Sequence, residues 1–123
     1  MYESGEDYLE AILMLQHEKG TVHSVDVARK LGVSKPSVSR AMGILKDGGY
    51  LEDGEGTELH LTKKGLEKAT DIYSRHRLLT EFIMAITGVP EEQAEKNACR
   101  VEHDIDADVV AGITNWMKKN KKS

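Results

Sequence analysis

The sequence predicts a mainly α-helical fold carrying one small β-hairpin. Three observations support that class. Apolar residues recur at helical spacing through most of the 123 residues, punctuated by glycine. Two short helical segments stand in tandem between positions 24 and 47, separated by a turn containing Gly32. Residues 50–62 instead alternate apolar and polar side chains on either side of a turn-rich centre. With 39% hydrophobic and 31% charged residues and only two prolines, the chain can form one compact core, or two small ones sharing an interface.

The first helix is expected over 6–17, where Tyr8, Leu9, Ile12, Leu13 and Leu15 keep helical spacing. Ser4 is placed to cap it and Gly20 to end it. Asp7 and Glu10 lie three apart and share a face, a pattern that also suits plain acidic residues near a helix N-terminus. Ser24 is expected to cap a helix over 25–31, stopped by Gly32. Ser34 is expected to cap the next from Lys35, with Pro36 tolerated in its first turn and Gly48-Gly49 closing it. Val25, Val27, Ala28, Leu31, Val33, Val38, Met42 and Leu45 would supply a small core.

Helix, glycine-containing turn, and a helix that starts with small polar and basic residues make a helix-turn-helix pattern. Ser34, Lys35, Pro36, Ser37, Ser39 and Arg40 are the candidate DNA-contacting residues. The helix N-terminus and its hydroxyls suit phosphates, and Arg40 suits a guanine edge or a phosphate. An ordinary helical hairpin with a solvated face is the alternative. The overall charge of −4 argues weakly against nucleic acid, but its distribution matters more. Segment 20–50 carries Arg29, Lys30, Lys35, Arg40 and Lys46 against Asp26 and Asp47.

The hairpin pairs Tyr50-Leu51-Glu52 with 58–62 around Asp53-Gly54-Glu55-Gly56-Thr57. Following a recognition helix, it makes a wing. Its tip is acidic, so it should lie off the phosphates or meet them through backbone N–H groups. Thr62 can cap a long helix from Lys63 to about Thr87, with apolar positions at Leu66, Ala69, Ile72, Tyr73, Leu79, Phe82, Ile83 and Ile86. Gly88-Val89-Pro90 breaks it. A further helix starts at Pro90. The last, with Asp106 as cap, carries Val109, Val110, Ile113, Trp116 and Met117 before a lysine tail.

Cys99-Arg100-Val101-Glu102-His103 is the most informative short stretch. In a helix, positions 99, 102 and 103 share a face, which gathers a thiol, a carboxylate and an imidazole. Those are good ligand types for a transition-metal ion. A buried hydrophobic thiol beside a solvated Glu–His pair is the alternative. The single cysteine excludes an intramolecular disulfide. No apolar run is long enough to span a bilayer, and the N-terminus lacks the regions of a signal peptide, so a cytoplasmic protein is expected.

Taken together, Glu6-Asp7-Tyr8-Leu9-Glu10, Arg75-His76-Arg77-Leu78-Leu79, the 99–103 stretch and the helix-turn-helix resemble, in order and spacing, the diphtheria-toxin-repressor and manganese-transport-regulator family. The resemblance covers essentially the whole chain. It implies a metal-dependent transcriptional repressor of metal-uptake genes, not an enzyme. It implies an N-terminal winged helix over 1–62 and a helical metal-binding and dimerisation domain over 63–123. It implies a homodimer on a double-stranded DNA operator, in a short form lacking the SH3-like domain of longer members.

The implied metal ligands are Asp7, Glu10, His76, Cys99, Glu102 and His103. The implied ion is Mn²⁺ or Fe²⁺, with Zn²⁺, Co²⁺ or Ni²⁺ as substitutes in vitro and as many as two ions per subunit. Asp7 is the residue of the manganese regulators, whereas Cys99 is that of the iron regulators, so two selectivity signals are mixed. At the ancillary site Thr80 replaces an acidic ligand and Glu95 stands in place of a histidine. Two other readings stay open: a winged-helix regulator of another signal, and a small metalloenzyme.

Overall fold

The structure is a computed structural model that describes residues 3–120, with side chains from residue 5 onward. The chain divides into two compact units, 1–71 and 72–123. Of the predicted lysine tail, Lys118 and Lys119 belong to the last turn of the final helix, and the lysines at 121 and 122 lie outside the described residues.

The first unit opens with α1 (Glu3–Lys19), whose Leu9 and Ile12 are completely buried. The helix begins before Ser4, so that residue stands inside the first turn and not at the cap. Then come α2 (Ser24–Leu31) and α3 (Lys35–Asp47), packed on each other and on α1. Ser24 is the first helical residue of α2, not its cap. The cap position belongs to His23, whose backbone N–H donates to Asp26 Oδ2 at 2.9 Å. Asp26 also accepts from Lys19 Nζ at 2.6 Å, tying the end of α1 to the start of α2. Gly32 ends α2 at φ 66°, a left-handed conformation that glycine adopts without a Cβ penalty. Ser34 caps α3 as expected, its Oγ accepting from Ser37 N at 3.2 Å.

Val27, Val38, Met42 and Leu45 form the predicted core, but Val25 and Val33 are exposed. Val25 is two residues from Val27, about 200° around the helix, so both cannot face inward. Val33 lies in the turn between α2 and α3. Strands β1 (Leu51–Asp53) and β2 (Leu59–Leu61) pair antiparallel, with Leu51 opposite Leu61. The sequence did not reveal a third participant: His23 bridges Glu58, and Leu59 N donates to Val22 O at 2.8 Å.

The base of the hairpin is fixed to the start of α4 (Lys63–Thr87). Thr62 Oγ1 accepts from Gly65 N at 3.0 Å and donates to Gly49 O at 2.6 Å. Lys64 donates to Gly48 O at 2.7 Å and sits over the Tyr50 ring. Position 65 must be glycine, because a Cβ there would lie 1.9 Å from the Tyr50 carbonyl oxygen.

In the second unit α4 continues and is followed by α5 (Glu91–Val101) and α6 (Ala107–Asn120). Pro90, the predicted first helical residue, occupies the cap position of α5, which starts one residue later at Glu91. Asp106 caps α6 through Val109 N at 3.0 Å. Leu79, Ala94 and Ala98 are buried, and Phe82 meets Trp116 edge to face at 5.5 Å. Ile86, Val109 and Trp116 remain exposed, and α6 buries none of its residues completely. Leu66, predicted as an apolar packing position of the long helix, is also exposed. Among the described residues no helix is long and apolar enough to cross a membrane.

Candidate metal centre and nucleic-acid interface

Three side chains converge in the second unit. His76 projects from α4. Glu102 follows the last residue of α5, and His103 comes next. The predicted helix through 103 stops at Val101. Glu102 keeps helical dihedrals (φ −59°, ψ −23°) and donates its N–H to Ala98 O, while 102–104 form a turn. His76 Nδ1 and Glu102 Oε2 share a hydrogen bond of 2.8 Å. His103 Nε2 lies 3.4 Å from Glu102 Oε1.

The Glu102 side chain is 1% exposed and that of His103 is 3% exposed. Glu102 Oε1 is buried with no hydrogen-bond partner. A buried carboxylate oxygen in that state is unfavourable unless something else satisfies it. Two imidazoles and a carboxylate are also the donor set that first-row divalent ions take. On both counts these residues fit a metal ion.

Cys99 stands on α5 one turn before Glu102 and is exposed. Helical geometry offsets positions 99 and 102 by about 60°, enough to bury one and leave the other at the surface. Glu95 is exposed as well, while Thr80 is buried and donates to His76 O at 2.8 Å. Asp7 and Glu10 belong to the first unit, three apart on α1. Glu10 is buried and Asp7 half-buried.

Sequence reasoning missed Arg75. Its Nη1 donates to Glu102 O at 3.1 Å. Only its adjacency to His76 hinted at this, and spacing alone does not distinguish it from Arg77, which pairs with Glu81 and Glu91 near the surface.

In the first unit α3 presents Lys35, Pro36, Ser39 and Arg40, all exposed. Ser34 and Ser37 bond to each other, Ser34 Oγ donating to Ser37 Oγ at 2.9 Å, so these two hydroxyls are organised by the cap. A groove of about 290 Å³ runs between α3 and the wing, lined by Ser39, Gly43, Lys46, Gly56 and Thr57 among others. Lys46 Nζ contacts the wing residue Asp53 at 2.5 Å. Exposed cations, a helix N-terminus and an adjoining groove are features of a surface that meets the nucleic-acid backbone. Away from this face, the Lys19 ammonium and the His23 N–H hold the Asp26 carboxyl below the usual carboxylate range.

Residues 1–55 match the family model described as the iron dependent repressor N-terminal DNA binding domain. Residues 62–123 match the iron dependent repressor metal binding and dimerisation domain. The chain is 37% identical to the helix-turn-helix-type transcriptional regulator MntR of Shouchella clausii over 94% of this chain and 80% of that protein. It is 31% identical to the iron-dependent repressor IdeR of Mycobacterium tuberculosis over 89% of this chain, but it spans only 47% of IdeR. A manganese-dependent transcriptional repressor, solved in complex with manganese, superposes with a TM-score of 0.86 at 25% identity. That match covers 97% of this chain and 55% of the solved one.

Proposed function

This chain belongs to the family of iron-dependent repressors, and on that premise we propose that it is a metal-dependent, DNA-binding transcriptional repressor of metal-uptake genes. It acts as a cytoplasmic homodimer on a double-stranded operator. The observation that carries the metal half of this reading is Glu102, buried between two imidazoles with one carboxylate oxygen lacking a hydrogen bond. His76, Glu102 and His103 hold the ion. Asp7 and Glu10 add carboxylates from α1, and Cys99 adds a thiolate. Carboxylates favour Mn²⁺, while a thiolate raises the affinity for Fe²⁺, Co²⁺, Ni²⁺ and Zn²⁺.

A bound divalent ion supplies positive charge that offsets the mutual repulsion of these carboxylates. An ion that draws on all of these ligands limits the freedom with which the DNA-binding domain is presented. Recognition helices in a dimer must present themselves about 34–36 Å apart to meet successive major grooves. Reducing the ordering cost of that arrangement raises operator affinity without refolding either unit.

The DNA-reading residues are Ser34, Lys35, Pro36, Ser37, Ser39 and Arg40, within a DNA-binding domain over 1–62. The domain over 63–123 supplies metal and dimer contacts, and the exposed Ile86, Val109 and Trp116 of its helices suit the latter. The chain spans about half of IdeR, so activities that depend on the rest of that protein are not carried over.

The test is an anaerobic titration of Mn²⁺, Fe²⁺ and Zn²⁺, each against binding to DNA from upstream of the protein's own gene. At least one ion should raise affinity by tenfold or more, about 1.4 kcal/mol. Affinity indifferent to all three would refute the proposal.

A further inference from the structure

We propose that Arg75 is a positioning residue of the metal centre, its guanidinium holding the turn that carries Glu102 and His103. The inference rests on the metal-site reading above and adds a residue to it. Arg75 precedes His76 on α4, so one stretch of helix supplies both a ligand and the support for two others. Its Nη1 donates to the main-chain carbonyl of Glu102 at 3.1 Å. That carbonyl belongs to the C-cap of α5, where helix carbonyls have no intrahelical partner and must find another donor.

The local geometry makes the contact consequential. Beyond Glu102 the chain leaves the helix, and Asp104 N returns to Val101 O at 2.9 Å. A turn of this kind could pivot about Glu102. The planar guanidinium fixes the Glu102 peptide from α4, the same helix that places His76 Nδ1 2.8 Å from the Glu102 carboxylate. Backbone and side chain of Glu102 are therefore both referred to α4, and His103 follows from the peptide so fixed. Groups that orient metal ligands without touching the ion are typically worth about 10–100-fold in affinity.

The test measures Mn²⁺ affinity by calorimetry in the full chain for wild type, Arg75→Gln and Arg75→Lys. The absorption spectrum of the Co²⁺-saturated proteins serves as a second readout. Arg75→Gln should weaken Mn²⁺ about 10–100-fold. It should also change the Co²⁺ spectrum at saturation, because the ligands no longer hold the same geometry. A residue that merely stabilised the fold would leave the spectrum of the saturated protein unchanged. Arg75→Lys keeps one donor and should fall between, at about 2–10-fold, since a lysine cannot reproduce the planar fork.

A dissociation constant within twofold of wild type together with a superimposable Co²⁺ spectrum overturns the inference. If Arg75→Gln does not fold, the same two results in Arg75→Lys overturn it. Glu102→Gln and His103→Ala separate the two levels of argument. If these bind Mn²⁺ as wild type does, the metal-site reading fails. If they lose it while both Arg75 variants bind normally, only the role of Arg75 fails.

Discussion

Replacing Glu102 by glutamine separates a metal ligand from a structural acid, because the two roles predict opposite patterns. The side chain is 1% exposed, shares a 2.8 Å hydrogen bond with His76 Nδ1 and leaves Oε1 without a hydrogen bond. Without metal, the substitution weakens a charge-assisted hydrogen bond worth about 1.5–3 kcal/mol. It also removes a buried charge whose desolvation costs several kcal/mol. The two effects oppose each other, and the net change in metal-free stability should stay within about 1 kcal/mol.

With metal the balance is one-sided. At Mn²⁺ a hundredfold above its dissociation constant, wild type gains about 2.7 kcal/mol. For a chain of this size that raises the melting temperature by about 10 °C. Losing an anionic ligand should weaken binding by about 100-fold, the upper end of what loss of a supporting group alone costs. The same Mn²⁺ concentration then equals the dissociation constant of Glu102→Gln, and the gain falls to about 0.4 kcal/mol, or under 2 °C. Differential scanning fluorimetry with and without Mn²⁺ reads both quantities. A variant that melts far below wild type without metal, yet keeps the full metal-induced shift, would show that Glu102 is structural.

Three further perturbations test the surrounding reasoning. Asp26 has its folded pKa lowered by Lys19 and the His23 N–H, so its contribution is present above the ordinary carboxylate pKa of about 3.9 and is lost as pH falls through the folded value. Asp26→Asn should therefore lose less stability than wild type between pH 6 and pH 3, as read by thermal melts; parallel losses would contradict the assignment. Gly65→Ala puts a Cβ 1.9 Å from Tyr50 O, which forces backbone apart and should cost about 3 kcal/mol in urea unfolding. A midpoint shift under 0.5 kcal/mol equivalent would mean that the hairpin and α4 can separate at little cost. Asp53→Asn releases Lys46 from its 2.5 Å ion pair and should steepen the salt dependence of non-specific DNA binding by about 0.9 in log–log slope. An unchanged slope in fluorescence anisotropy would place Lys46 off the phosphates.

Local rules made most of the first unit readable. Ser34, Gly32 and Thr62 each act through backbone groups within a few residues, and they cap or stop helices as their positions predict. The errors arose where a non-local partner decided the outcome. Ser24 was the expected cap of α2, but the Asp26 carboxylate, held by Lys19, satisfies the His23 N–H instead. Val22 and His23 join the hairpin across more than thirty residues, which no local pattern signals. At the candidate metal centre, residue chemistry and helical spacing pointed to Cys99, Glu102 and His103, and the family resemblance added Asp7, Glu10 and His76. Neither could predict that α5 ends at Val101, before Glu102. Arg75 was invisible for a related reason: its partner is a main-chain carbonyl, and main-chain groups leave no trace in residue identity.

The early end of α5 has a physical consequence for the ion. Had the helix run through 103, as spacing suggested, the ligands would project from its side. Instead Glu102 sits at the C-cap and His103 just beyond it. A helix C-terminus carries a partial negative charge, and a cation there is favoured by about 0.3–1 kcal/mol, more when partly buried. Arg75 already uses this end of α5 through the Glu102 carbonyl. A divalent ion held by the Glu102 carboxylate and His103 would gain from the same field in the same buried surroundings. Helix termination therefore aligns three favourable terms at one place: a desolvated carboxylate with one oxygen lacking a hydrogen bond, imidazole donors, and the negative pole of α5. A cysteine one turn back lies farther from that pole and closer to water. On the proposed reading its thiolate would tune which ion is preferred, while the electrostatic reason for binding a dication would reside in the turn at 102–104.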